Sequence, residues 1–132
     1  MNASDALGKL IFRLTLGGLM LFHGVAKITN PGSIQFISGK LTEFGLPELL
    51  AYGAYVGEVL APILIIIGLF ARIGGLLIAV NMVFAILLMH MGQLMDINAS
   101  TSGYALELQA FYLFGGLSVL FMGSGDFAAR PD

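Results

Sequence analysis

The sequence predicts an all-α fold: a four-helix transmembrane bundle with a short amphipathic helix between the first and second spans. Hydrophobic residues make up 58% of the 132 residues, and charged residues only 11%. A soluble domain usually has about a quarter of its residues charged, so most of this chain cannot face water. Four apolar stretches have roughly the 20 residues that cross a bilayer core. The lipid bilayer is therefore the first predicted partner.

Composition also excludes several classes of function. The net charge of −2 argues against a nucleic-acid partner, which would require a basic patch. The chain has no cysteine, so disulfides, thiolate metal sites and thiol redox chemistry within the chain are excluded. Any redox role would need a bound cofactor or a partner protein.

The first span is predicted over residues 7–26, and the rest of the bundle is organised around it. At about 100° per residue, Arg13, His23 and Lys27 fall on one face of this helix. The whole face comprises Arg13, Leu16, Gly17, Met20, His23, Gly24 and Lys27. An uncompensated charge in hydrocarbon costs roughly 2.5 to 3.5 kcal/mol or more, so we expect this face to turn toward other helices or a wet cavity.

A short amphipathic helix is predicted between the first and second spans. Asn30-Pro31-Gly32 ends the first helix, and Gly45 and Pro47 break the chain again. Between these breaks, apolar residues recur at intervals of three and four: Ile34, Ile37, Leu41 and Phe44. This spacing is typical of a helix lying at the membrane surface. The alternative is an ordered loop with a few buried apolar side chains.

The remaining spans are predicted over residues 48–70, 73–91 and 103–122, so residues 1–132 form one membrane domain. In the second span, Pro62 cannot donate a backbone hydrogen bond, which predicts a kink just after Glu58. A tight turn into the third span is predicted at Ala71, Arg72, Gly74 and Gly75. The third span contains Asn81 and ends near His90, and Glu107 lies near the start of the fourth.

The basic residues predict an orientation. Lys9, Arg13, Arg72 and Arg130 lie toward one side of the predicted bundle, whereas Lys27 and Lys40 lie toward the other. Cytoplasmic segments of membrane proteins carry the excess of lysine and arginine. We therefore expect both termini to be cytoplasmic.

The intramembrane polar groups are predicted to form two layers. At 1.5 Å per residue, Glu58 lies roughly 15 Å into its span, and Asn81 reaches a similar level from the opposite side. The outer layer comprises His23, Lys27, His90 and Glu107. A carboxylate at the depth of Glu58 has to find a partner or stay protonated. Arg13 is expected either to reach toward Glu58, pinning two helices together, or to extend to lipid phosphate.

These groups supply the candidate site. Glu58 and His23 are the candidate catalytic residues, and the candidate cofactor-binding residues are Arg13, His23, Lys27, Glu58, Asn81 and Glu107. A quinone pocket needs hydrogen-bond donors and flat apolar walls, which we expect from His23, Phe111, Phe114 and Tyr104. Interhelical contacts without any ligand are the alternative.

No metal site is predicted. Imidazole and carboxylate groups of His23, His90 and Glu107 have the chemistry of metal ligands. However, His90 lies about 180° from Asn81 on an ideal helix, so the third span cannot turn both inward without a kink or a second contact surface. The tyrosines Tyr52, Tyr55, Tyr104 and Tyr112 lie toward span ends, as interfacial anchors do.

Residues along nearly the whole chain, from Arg13 through the closing Gly123-Ser124-Gly125, resemble one family in their order and spacing. They are Arg13, Leu16-Gly17, His23-Gly24, Lys27, Phe44-Gly45-Leu46-Pro47, Glu58, Leu64, Gly68-Leu69, Arg72 and Asn81-Met82. The sequence resembles the DoxX family of small bacterial membrane proteins. It departs from the family pattern at Ala61-Pro62, where paired glycines often follow the glutamate.

The resemblance implies a four-helix, multi-pass protein of the bacterial inner membrane, labelled an oxidoreductase or an oxidoreductase subunit. Relatives are linked to a thiosulfate:quinone oxidoreductase and to a membrane complex that handles oxidative and thiol stress. Our first hypothesis is a subunit of a quinone-linked redox system with a redox protein as partner. The second is a non-catalytic scaffold for a redox or transport partner. A small transporter is a third hypothesis. It would need a homo-oligomer, because a single chain of four helices has few helices for alternating access.

Overall fold

The computed structural model describes residues 1–132 as five helices with no β-strand, which confirms the all-α class. The helices are α1 (Ala3–Thr29), α2 (Gly32–Glu43), α3 (Glu48–Ile67), α4 (Ala71–Gln93) and α5 (Glu107–Met122). Helix α2 occupies the place of the predicted amphipathic helix, so the alternative of an irregular loop is wrong.

Three helices, α1, α3 and α4, are long and apolar enough to cross a membrane. Helix α5 has 16 residues and is equally apolar, but its length of about 24 Å is less than a bilayer core of about 30 Å. It begins at Glu107 and not near residue 103, because residues 97–104 form a loop closed by an antiparallel bridge between Ile97 and Tyr104. Large apolar side chains cover the outer surface of the bundle, as in a protein that faces lipid.

The inward face of α1 is the predicted one. Its buried residues after the first turns are Arg13, Leu16, Gly17, Met20 and Gly24. Leu16 and Met20 join a core cluster that also contains Ile65 of α3, Ile78 of α4 and Val119 of α5. Thus α1 packs against the other long helices along the face that carries its ionisable residues.

The turn between α3 and α4 lies earlier than predicted. Gly68 and Phe70 both have left-handed backbones, with φ of 79° and 50°. The amides of Gly68 and Leu69 both bond to the carbonyl of Leu64, which closes the end of α3. Gly74 and Gly75 therefore lie within α4 and not in the turn.

Glycines let the helix backbones approach closely. A Cβ at Gly75 would overlap the carbonyl oxygen of Gly116, so α4 and α5 touch at these two residues. A Cβ at Gly24 would likewise overlap the carbonyl group of Glu58, which brings α1 against α3. Small residues at such crossings are the usual means of helix association in membranes.

Helix α2 packs onto the rest of the protein. Ile34 and Leu41 are buried with Ala51 and Ala54 of α3. Phe44, which the spacing assigns to the same face, is exposed because α2 ends at Glu43.

Candidate functional site

A buried polar cluster joins three helices. The ammonium Nζ of Lys27 (α1) lies 2.6 Å from Oε1 of Glu58 (α3), and Nδ2 of Asn81 (α4) donates to Oε2 of Glu58 at 3.0 Å. The carboxylate side chain is 7% exposed, and that of Lys27 is 22% exposed. Both carboxylate oxygens thus have partners, and the charges cancel within the cluster.

The contact between Glu58 and Asn81 is the one predicted from their depths. The separation into two layers is wrong for Lys27, which meets Glu58 directly. Counting residues places only the backbone, whereas the long stem of a lysine carries its ammonium group a further turn along the bundle.

The helix is irregular around Glu58. Residues Val56–Leu60 form a π turn, and the amide of Ala61 bonds to the carbonyl of Val56, five residues back. Pro62 follows and has no amide hydrogen, so the Glu58 carbonyl loses its α-helical donor. This carbonyl faces Gly24 of α1. Single π turns in α-helices are frequent at functional sites.

A second π turn, Ile86–His90, lies in α4. It takes up one residue more than an α-turn, so it rotates the following residues by about 100° against an ideal helix. His90 therefore lines the same cavity as Asn81 instead of facing the opposite way. Both π turns supply lining residues of that cavity, and neither was predicted as a π turn from the sequence.

The cavity beside the cluster has a volume of about 440 Å³ and is lined by residues of all five helices. Sixteen of its 24 lining residues are hydrophobic. Val56, Val80 and Phe84 line it while remaining 41%, 45% and 46% exposed, so part of its wall also reaches the apolar surface of the bundle. An apolar cavity with a few convergent polar groups is the usual form of a small-molecule site.

His23 also lines the cavity. Its ring packs edge-on against the ring of Tyr112 of α5, with centroids 5.6 Å apart and an interplanar angle of 87°. Tyr112 is 4% exposed and lines the cavity, so its prediction as an interfacial anchor is wrong. His90 lies at the same cavity and contacts Gln93 through Nδ1 at 3.0 Å.

Arg13 lies apart from the cluster, and both expected roles for its side chain are wrong. Its guanidinium group donates to four backbone carbonyls: those of Ile65, Ile66, Ser124 and Phe127, at 2.7 to 3.2 Å. The residue is 1% exposed. It therefore fastens the end of α3 to the segment after α5, and does not line the cavity.

Glu107 also lies outside the cavity. It is exposed at the start of α5 and borders a separate surface depression with Phe111 and Phe114. These two phenylalanines are 58% and 62% exposed, so they do not form the expected quinone walls. Nowhere do three or more His, Asp or Glu side chains converge on a point where a metal ion could sit.

The outward direction of Phe111 and Phe114 on α5 has a simple cause. Its inward face carries Tyr112, Gly115, Gly116 and Val119, which are buried. In lipid, phenylalanine gains little by burial, whereas glycine permits backbone contact with α4. The spacing of glycine and valine from Tyr112 by three, four and seven residues was the signal that could have placed this tyrosine inside.

Comparisons with known proteins identify the family of this chain. The sequence model of the DoxX family matches residues 8–91. The chain is 34% identical over 88 residues to the Bacillus subtilis (strain 168) protein named "Putative oxidoreductase CatD". That alignment covers 66% of this chain and 63% of the relative, so the chain spans less than two thirds of the relative's length. No solved structure matches. With the family match covering well over half of the sequence, this chain is a membrane protein that belongs to the DoxX family.

Proposed function

We propose that this chain is a membrane subunit of a quinone-linked oxidoreductase system, and that its cavity binds the quinone head group. The observation that carries the proposal is the apolar cavity beside a charge-neutral cluster of Lys27, Glu58 and Asn81. The name of the Bacillus subtilis relative also points to oxidoreductase chemistry.

The residues present fit a quinone. Its head group is flat, uncharged and carries two carbonyl acceptors, and the volume of about 440 Å³ is in the range of small-molecule pockets. Lys27 has three N–H donors, of which Glu58 uses one. Lining residues of α3 and α4 also reach the apolar surface, from which a lipid-soluble ligand would enter. A bound quinone would supply the two-electron, two-proton chemistry that a chain without cysteine lacks.

The cluster has a second property that suits this role. A proton can move between Nζ of Lys27 and Oε1 of Glu58, 2.6 Å apart, without bringing net charge into the membrane. Asn81 holds the other carboxylate oxygen and so fixes the orientation of Glu58. We assign Glu58 and Lys27 to proton handling, and His23 to the wall that faces the head group.

The proposal includes a cellular setting. We place the protein in the bacterial inner membrane with α5 as a fourth span and both termini in the cytoplasm. A redox protein partner would supply the electrons. Reporter fusions at each terminus test the topology, because an odd number of spans would put the termini on opposite sides.

Quinone binding by the purified protein tests the function. A short-chain benzoquinone or naphthoquinone should raise the unfolding temperature of the wild type in detergent. The shift should shrink in His23→Ala and Glu58→Gln. Glu107→Gln is the matched control, because it makes the same change at an exposed position outside the cavity, and its shift should equal that of the wild type. No shift with either quinone class in the wild type would refute the proposal.

One observation favours a second function, a non-catalytic scaffold. Both oxygens of Glu58 are already bonded to other helices, as expected of interhelical contacts without a ligand. A scaffold predicts that Glu58→Gln lowers stability in detergent but leaves the turnover of a bound partner unchanged. Lost turnover with full stability would contradict it.

A further inference from the structure

Tyr112 is a buried tyrosine whose hydroxyl makes no hydrogen bond within the protein. The residue is 4% exposed and lines the cavity. By contrast, the hydroxyls of Tyr55 and Tyr104 donate to the carbonyls of Lys27 and Leu94. No fully enclosed side-chain oxygen or nitrogen lacks a partner in this protein, so the Tyr112 hydroxyl has to reach the open space of the cavity.

We propose that Tyr112 orients the ligand of this cavity by donating a hydrogen bond to a carbonyl oxygen of a flat, uncharged ring. This inference rests on the proposed quinone-binding function and adds to it a residue on α5. Tyr112 lies outside the segment that matches the family model, residues 8–91. Ligand recognition would then depend on a part of the chain beyond that match.

The phenol ring is held firmly. Gly115 and Gly116 bring the backbone of α5 against its neighbours one turn beyond Tyr112. The ring contacts His23 edge-on, which restricts rotation about the side-chain bonds. A donor that is already fixed loses little conformational entropy on binding, so its hydrogen bond contributes more to affinity.

The other groups at the cavity select against charged ligands. Lys27 and Glu58 form a pair 2.6 Å apart, so their charges cancel and leave none to compensate a charged ligand. An uncharged acceptor needs no compensation. It can accept from the Tyr112 hydroxyl and from the remaining N–H groups of Lys27.

A purely structural role predicts something different for Tyr112. A buried hydroxyl that stabilises a fold is normally hydrogen-bonded, and removing it then leaves a partner unsatisfied. Here the hydroxyl has no protein partner. Tyr112→Phe should therefore leave the unfolding temperature of the ligand-free protein unchanged but weaken the binding of the ligand.

The experiment compares Tyr112→Phe with Tyr52→Phe in the full-length protein. Tyr52 is exposed and does not line the cavity, so it controls for the loss of a tyrosine hydroxyl. The dissociation constant of a short-chain benzoquinone should rise about three- to tenfold in Tyr112→Phe and stay unchanged in Tyr52→Phe. An aromatic compound of the same size without carbonyl groups should bind both variants and the wild type equally.

Infrared spectroscopy supplies a second measurement. A carbonyl-labelled quinone bound to the wild type should show a stretching band lowered by hydrogen bonding, and this band should move back toward the free value in Tyr112→Phe. Equal quinone affinity and an unmoved band in Tyr112→Phe would overturn the inference and leave the proposed function standing. A wild type that binds no quinone would overturn both.

Discussion

Two regions of the bundle, around Arg13 and around Glu58, each bury a charged side chain, and they do so in different ways. Arg13 is 1% exposed and donates only to backbone carbonyls. Glu58 is 5% exposed, and its partners are side chains of two other helices beside a cavity. Burial of a charge is therefore no guide to function by itself. Partners that belong to the backbone indicate a structural role, and side-chain partners beside open space indicate a site.

Replacing Arg13 should give the largest loss of stability. Arg13→Met leaves four carbonyl groups without donors, and we expect about 3 to 5 kcal/mol less free energy of unfolding. Titration of the detergent-purified protein with SDS measures this value. Arg13→Lys keeps the charge but cannot reach all four acceptors, so it should fall between Arg13→Met and the wild type. If Arg13→Met were as stable as the wild type, the structural role assigned to Arg13 would be wrong.

A methyl group at Gly24 should come next. Its Cβ would overlap the Glu58 carbonyl and push α1 away from α3. We expect Gly24→Ala to cost about 1 to 3 kcal/mol in the same titration. Gly18→Ala on the same helix is the control, because nothing lies within 4 Å of its Cβ position. Equal effects of the two substitutions would show that the close contact at Glu58 is unimportant.

A double-mutant cycle on Lys27 and Glu58 sharpens the comparison further. Glu58→Gln and Lys27→Met each leave one charge without its partner, whereas the double variant leaves none. We expect the two substitutions to be coupled by about 0.6 to 1.7 kcal/mol. Additive effects would mean that the ion pair contributes nothing to the bundle. If Glu58→Gln lowered the free energy of unfolding as much as Arg13→Met, the distinction between a structural Arg13 and a functional Glu58 would fail.

The smallest effect is expected at Glu107. Its side chain is exposed and makes no ion pair within the protein. Glu107→Gln should change the free energy of unfolding by no more than about 0.5 kcal/mol. Glu58→Gln is measured in the same titration for comparison. A larger loss of stability in Glu107→Gln would mean that this carboxylate makes a contact that the structure does not contain.

The helical periodicity of the sequence was enough to predict the fold class and the inward face of α1. It also predicted that Glu58 and Asn81 meet, because a depth counted at 1.5 Å per residue does not depend on the direction of a side chain around the helix. It failed for the direction of His90. The π turn before Met91 brings His90 to the cavity, and such a turn follows from packing and not from residue type.

Two features of the structure could not be predicted from the polar residues of the sequence. The acceptors of Arg13 are backbone carbonyls, which every residue possesses. The walls of the cavity were sought among the phenylalanines of α5, but lipid solvates Phe111 and Phe114 as well as a protein core would. The glycines beside Tyr112 mark the inward face instead, and the same reasoning should apply to other short apolar helices.

The bonds of Arg13 also constrain how the protein is made. Its most distant acceptor, the carbonyl of Phe127, lies 114 positions further along the chain. At about 5 to 20 residues per second, a ribosome needs roughly 6 to 23 s to travel that distance. Until then the guanidinium group has only the carbonyls of Ile65 and Ile66 as protein acceptors, and its other N–H groups need water or lipid headgroups. Helix α1 therefore cannot complete its hydrogen bonds until the segment after α5 has been synthesised.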